Sequence, residues 1–207
     1  MRTIFLLLCI LSVTLTTKAQ SKRFDKWVPG SFTDTANRTR TGLISWTLAD
    51  QDMFDKGGCI SYKENKDADF VYISTEWMKC FTMEADTFMI TKAKGFGRNP
   101  IIKVAINNAE KLYYYLPYTS NRYAGSFNGM PTYFKSGSDL NYYTFYAGPD
   151  AENITHITKD NFVEMLSKIM ADKPEVIARI TDKTFDYKHI NDLVKYYKTG
   201  ELPKNLK

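Results

Sequence analysis

Residues 110–118, EKLYYYLPY, set three consecutive tyrosines between two leucines. In a strand, successive side chains alternate between two faces. Leu112, Tyr114 and Leu116 then point one way, and Tyr113 and Tyr115 the other. The leucine-bearing face reads as core, so Tyr114 is expected to be buried and Tyr113 or Tyr115 partly covered by neighbouring strands. Tyrosine favours strands because its broad ring packs over cross-strand neighbours. The run is therefore read as a strand packed on both faces, not as a ligand platform.

The same two-residue period extends outward from this stretch. TGLISWTL (41–48) places Ile44, Trp46 and Leu48 together. GCISYK (58–63) follows the turn pair Gly57–Gly58, and DFVYISTEWMKCF (69–81) is one bent strand or two. DTFMITKA (86–93) aligns Phe88 with Ile90, and NPIIKVAIN (99–107) aligns Ile102, Val104 and Ile106. NYYTFYAG (141–148) is a further aromatic strand. Short strands punctuated by turns predict an antiparallel meander, as a strongly curved sheet, a sandwich or a barrel.

Beyond Thr158 the period changes to that of a helix. KDNFVEMLSKIMADK (159–173) brings Phe162, Met165, Leu166 and Ile169 to one face, with Thr158 as the expected N-cap. Pro174 opens a second helix carrying Val176, Ile177 and Ile180. DYKHINDLVKYYKTG (186–200) is a third, capped by Asp186 and stopped by Gly200, with Ile190, Leu193, Val194 and Tyr197 on its apolar face. The fold class expected is α+β: a β-rich body over about 40–157 and a three-helix C-terminal tail over about 158–200, in one domain spanning 20–207.

The chain opens MRTIFLLLCILSVTLTTKAQ. One cation, Arg2, precedes an apolar run from Ile4 to Val13, and Thr17 and Ala19 are placed as a cleavage site requires. This is the layout of a secretory signal peptide over residues 1–19. The run is too short to span a bilayer. Cys9 lies within the apolar run, not after it, which argues against a lipid-modified cysteine. Loss of Arg2 and Lys18 takes the formal charge from +5 to +3. With so mild a charge, and lysines interspersed with acids, the clustered basic stripe of a nucleic-acid binder is not found. The mature chain holds no membrane span. It is expected to be periplasmic, with secretion the alternative.

Cleavage leaves Cys59 and Cys80. An even pair in an exported protein favours a disulfide, and two separate buried thiols are the competing reading. No spacing matches a zinc site, and the two histidines, His156 and His189, lie in different segments. DQDMFDKGG (50–58) sets Asp50 and Asp52 at calcium-loop spacing, but Asp55 is one position late and Ser61 stands where the closing acid belongs. KGFGRNP (94–100) lacks the rest of a phosphate-binding pattern. No metal, cofactor or catalytic residue is therefore assigned. The stretch best suited to recognition is YTSNRYAGSFNGMPTYF (118–134), expected to be a loop, with Tyr118, Arg122 and Tyr123 as candidate contacts.

The signal ending KAQ, the strands TGLISW and KLYYYLPY, and above all the tail DKPEVIARITDKTFDYKHINDLVKYY resemble a group of small exported Bacteroidota proteins without an established function. The resemblance implies a β-rich body closed by a helical tail. It departs at Tyr196-Tyr197-Lys198, where those proteins often carry Tyr-Asn. The motifs are structural and transfer no functional residue. The function expected is non-enzymatic: an exported cell-envelope protein whose partner is another envelope protein or a small ligand. A periplasmic glycan hydrolase and a structural envelope component are the alternatives.

The export reading makes a direct prediction. Mass spectrometry of the mature protein from its own cells will find an N-terminus at or near Gln20; an intact Met1 terminus would refute it.

Overall fold

The structure, a computed structural model, describes residues 26–52, 57–96, 99–115, 118–127, 130–139 and 143–204, with backbone only at 49, 52 and 118–139. Residues 1–19, read from sequence as a signal peptide, and Asp55 and Leu116 lie outside the described residues. The strands in chain order are β1 (Val28–Asp34), β2 (Thr39–Ser45), β3 (Cys59–Lys63), β4 (Val71–Ser74), β5 (Met78–Met83), β6 (Asp86–Ile90) and β7 (Ile101–Asn107). They continue as β8 (Lys111–Tyr115), β9 (Tyr118–Phe127), β10 (Met130–Asp139), β11 (Thr144–Gly148) and β12 (Thr155–His156). The helices are α1 (Phe162–Ile169), α2 (Pro174–Thr181) and α3 (Ile190–Thr199).

Ten strands form one antiparallel sheet in the order β12-β11-β8-β7-β6-β5-β1-β2-β3-β4. The chain runs outward from β1 to β4, returns to pair β5 on the other side of β1, and meanders on to β12. This is the expected α+β meander followed by a helical tail. Of the three shapes considered, the ten strands form one sheet with β4 and β12 at its edges, and β9 and β10 pair separately. The run 69–81 resolves into two strands, β4 and β5, separated by a 3-10 turn at Thr75–Trp77. Residues 118–134, expected as a loop, instead build most of a two-stranded hairpin, β9 with β10.

Strand β1 was not legible in VPGSFTD, and its neighbours explain it. Gly30 pairs with Gly42 of β2 and with Met83 of β5. A Cβ on Gly30 would sit 2.2 Å from the Thr82 carbonyl oxygen, and one on Gly42 would sit 2.4 Å from that of Lys63. Backbones approach there too closely for any side chain.

A β-bulge in β7 governs the layers. Lys103 pairs with Tyr114 and Val104 with Tyr113, but Ile106, not Ala105, pairs with Leu112. The extra residue shifts the alternation. Ile102 and Val104 therefore pack with Tyr113, Ala151 and Met89, while Ile106 joins Leu112 and Phe145 on the opposite face. This corrects the expectation that Ile102, Val104 and Ile106 share one face. Tyrosine burial is likewise reversed: Tyr113 is completely buried, whereas Tyr114 and Tyr115 are half-buried.

The tail covers the face of Ile106, Leu112 and Phe145 with Phe162, Leu166, Ile169, Val176, Ile180, Ile190 and Leu193. Spacings of three and four residues place these on one side of each helix. Pro174 starts α2 and Gly200, at φ 72°, ends α3. Asp186 caps the 3-10 turn Tyr187–His189 that leads into α3, accepting from Lys188 N at 2.8 Å. Thr158 is not the cap of α1. Its N–H instead donates to Asn161 Oδ1 at 2.7 Å, and the helix begins one residue beyond Asn161. Asn108, in the β7–β8 turn, ties sheet to tail: its Nδ2 donates to Ile169 O at 2.8 Å and to Asp172 Oδ1 at 3.0 Å. Tyr197 Oη donates to Asp172 Oδ2 at 2.7 Å.

The expected disulfide is absent; Cys59 and Cys80 are not bonded. Cys59 is on β3 and Cys80 on β5, and β2 and β1 lie between them. Three strand spacings separate the two Cα atoms by about 14 Å, twice the limit of about 7 Å for a bridge.

The tail makes a stability prediction. Leu166→Ala should cost about 2–5 kcal/mol in denaturant unfolding, because its side chain is fully enclosed. Val163→Ala, at a position 49% exposed on the same helix, should stay within about 0.5 kcal/mol. Equal losses would show that α1 does not pack as described.

Candidate functional site

A rung of side chains crosses the sheet in register. Phe32 of β1 pairs with Phe81 of β5, Phe81 with Phe88 of β6, Phe88 with Lys103 of β7, Lys103 with Tyr114 of β8, and Tyr114 with Phe145 of β11. Five aromatics thus flank one lysine. Phe81 and Phe88 stack at 4.7 Å between centroids with an interplanar angle of 7°. Above Phe88 lies Trp46, which follows β2, at 5.1 Å. Tyr143, just before β11, meets Tyr114 edge-on at 5.0 Å.

These residues flank an open-sided pocket of about 200 Å³, lined by Trp46, Leu48, Gln51, Phe88, Ile101, Lys103, Tyr114 and Tyr143. It sits where the apolar layer of β1, β2, β3, β5 and β6 meets the layer beneath the helices. Ile101 and Lys103 reach it because they are two apart on β7, ahead of the bulge. Gln51 comes from the 3-10 helix Leu48–Asp52. The Trp46 indole N–H is covered and has no hydrogen-bond partner among the described residues, a cost of about 1–3 kcal/mol for a buried donor.

Lys103 carries the one formal charge in the described lining. Its Nζ lies 2.6 Å from Asp86 Oδ2, and 5.7 and 5.8 Å from the ring centroids of Phe88 and Tyr114. Burial works to lower its pKa, but hydrogen bonds to Asp86 and Tyr114 and the attraction of both outweigh that and hold it above the ordinary lysine value. The ammonium therefore persists at neutral pH. Burial raises the Tyr114 phenol, with Lys103 opposing that shift. An aromatic-walled cavity with one oriented polar group is a common form of small-molecule site.

The residues favoured from sequence lie elsewhere on the chain. Tyr118, Arg122 and Tyr123 are on β9, paired with Asp139, Lys135 and Phe134 of β10. Strand β9 runs against the 3-10 helix Leu48–Asp52, which supplies Leu48 and Gln51 to the cavity. Asp50 serves that turn: its Oδ2 accepts from Thr47 N at 2.8 Å. Among the described residues no three His, Cys, Asp or Glu side chains gather to hold a metal ion. Trp46, Lys103, Tyr114 and Tyr143 were not picked from sequence as a site. The available signal was Lys103 itself, a lone cation within the apolar run Ile101–Ile106.

The fold and pocket define a protein with an antiparallel sheet, a helical cover and an open-sided aromatic pocket. Neither a family model, nor a curated protein, nor a solved structure matches the chain.

The opposite face of β8 provides a pH prediction. Burial, reinforced by the negative charges of Asp150 and Glu110, pushes Tyr113 from 10.0 up to about 12. An acid whose folded pKa is raised contributes stability that is complete below the unfolded pKa and is lost as pH rises toward the folded one. Unfolding free energy should therefore fall between pH 10 and about 12, with about 2–3 kcal/mol of the loss due to Tyr113. Tyr113→Phe should flatten that share in denaturant titrations across the window. An unchanged slope would contradict the assignment.

Proposed function

We propose that this is an exported, non-catalytic binding protein of the cell envelope, whose ligand is a small, mainly apolar molecule held in the Trp46–Phe88–Tyr114 cavity. Export rests on the signal-type layout of residues 1–19, and the resemblance to small exported Bacteroidota proteins accords with it. The observation that carries the binding reading is the cavity of about 200 Å³ with aromatic walls. An apolar cavity of about 150 Å³ takes up benzene, so a single ring with a short substituent fits this one. The glycan-hydrolase alternative calls for two facing carboxylates, and no described lining residue is Asp or Glu. The cavity gives that alternative no support.

The test is calorimetric titration with 2-phenylethanol, a neutral ring-sized probe. The wild-type protein should bind it at one site with a Kd below about 1 mM, roughly −4 kcal/mol. Leu48→Trp, which fills the cavity from its half-buried wall, should abolish binding at an unchanged melting temperature. Absence of binding to the wild type, or full binding by Leu48→Trp, overturns the reading.

A further inference from the structure

We infer that the cavity's ligand is a cyclic monocarboxylate, its ring lying against Trp46 and Phe88 and its carboxylate received by the Lys103 ammonium. This rests on the reading of the cavity as a ligand site and specifies the ligand's chemistry.

Three observations lead to it. First, an ammonium has three N–H donors. Asp86 takes one at 2.6 Å, which leaves capacity for an acceptor in the pocket. Second, the two partners of the ion pair are unequally placed. The Asp86 side chain is 51% exposed and that of Lys103 only 24%. Asp86 can turn into water and be solvated there, because half-exposed pairs of this kind are held weakly. Lys103 has no such escape: it is fixed in the rung between Phe88 and Tyr114. A carboxylate entering the pocket would meet an ammonium largely shielded by its neighbours, where charge–charge attraction exceeds that in bulk water. Third, charge count and volume both limit the ligand. One ammonium among apolar walls balances one negative charge. A dianion such as a phosphate monoester would leave a charge unpaired in apolar surroundings, which is strongly unfavourable. The volume of about 200 Å³ accommodates one ring and a short acidic arm.

The cation also suits a ring ligand. Aromatic faces attract it on both sides already, at 5.7 and 5.8 Å. A carboxylate that meets Lys103 from the open side of the pocket leaves its ring against Trp46 and Phe88.

The experiment compares phenylacetate with 2-phenylethanol, which share the ring and differ in the acid group, by calorimetry at pH 7. In the wild-type protein phenylacetate should bind at least tenfold more tightly than the alcohol. Lys103→Met should remove that preference, bringing the affinity for the acid down to that for the alcohol measured in the same variant, and Lys103→Arg should restore most of it. Asp86→Asn, which leaves the ammonium without its competitor, should tighten phenylacetate and leave the alcohol unaffected. Because Asp86 is half-exposed, that variant reports even if Lys103→Met fails to fold. Equal affinities for acid and alcohol in the wild type overturn the carboxylate assignment while the cavity remains a ligand site. A preference for the acid that survives in Lys103→Met, or that Asp86→Asn weakens, overturns the role of Lys103. Binding of neither compound overturns both the inference and the reading beneath it.

Discussion

The bulge between Val104 and Ile106 is the constraint on which the rest of the structure depends. Up to Val104, strand β7 alternates regularly and sends Ile101 and Lys103 to one face. One extra residue then returns Ile106 to that same face, where Leu112 and Phe145 complete the surface beneath the helices. A regular strand would have turned Ile106 away and left the helices a poorer floor. The bulge therefore lets one strand serve the cavity with its first half and the helical cover with its second. Bulges are known to re-aim side chains beside binding sites, and this one does so at the join of two apolar layers.

Within the rung from Phe32 to Phe145, the single lysine is the costly element. Taking an ammonium partly out of water is unfavourable, and Asp86, itself half in solvent, compensates incompletely. Aromatic faces offset some of the remainder, at about 0.5–2 kcal/mol for each well-placed ring. A residue of this kind is poorly explained by folding alone: an aliphatic side chain of similar volume would close the layer with less desolvation. The same imbalance appears at Trp46, whose covered N–H has no partner among the described residues. Local departures from the best-packed choice tend to gather where a protein meets its ligand.

Much of the fold was written in periodicity. The alternation of TGLISW, DTFMI, KLYYY and TFYAG marks β2, β6, β8 and β11, and the spacing of Phe162, Leu166 and Ile169 marks α1. What could not be read depends on which strand lies beside which. Strand β1 takes its form from pairing on both sides and from the close approach of the β5 backbone at Gly30, which no alternation of side chains announces. Cys59 and Cys80 come from strands close in sequence, yet the return of β5 to β1 sets two strands between them. The polar composition of 118–134 suggested a loop, although the pair Asn128–Gly129 is a common hairpin signal. Tyr113 and Tyr114 were assigned to the correct opposite faces, but their relative burial depended on what covers each face. The cavity was hidden for the same reason: Trp46, Phe88, Lys103 and Tyr114 are far apart in sequence and meet only through register.

The helices that pack onto Leu112 and Phe145 follow the whole ten-stranded sheet in chain order. A polypeptide is made from its N-terminus, so the whole sheet can exist before anything is available to cover half of one side. Until residues as late as Ile190 and Leu193 have been synthesised, that side presents Ile106, Leu112 and Phe145 to water. The sheet and its cover are therefore not made together, and in the interval between them the uncovered apolar side is a surface prone to aggregation.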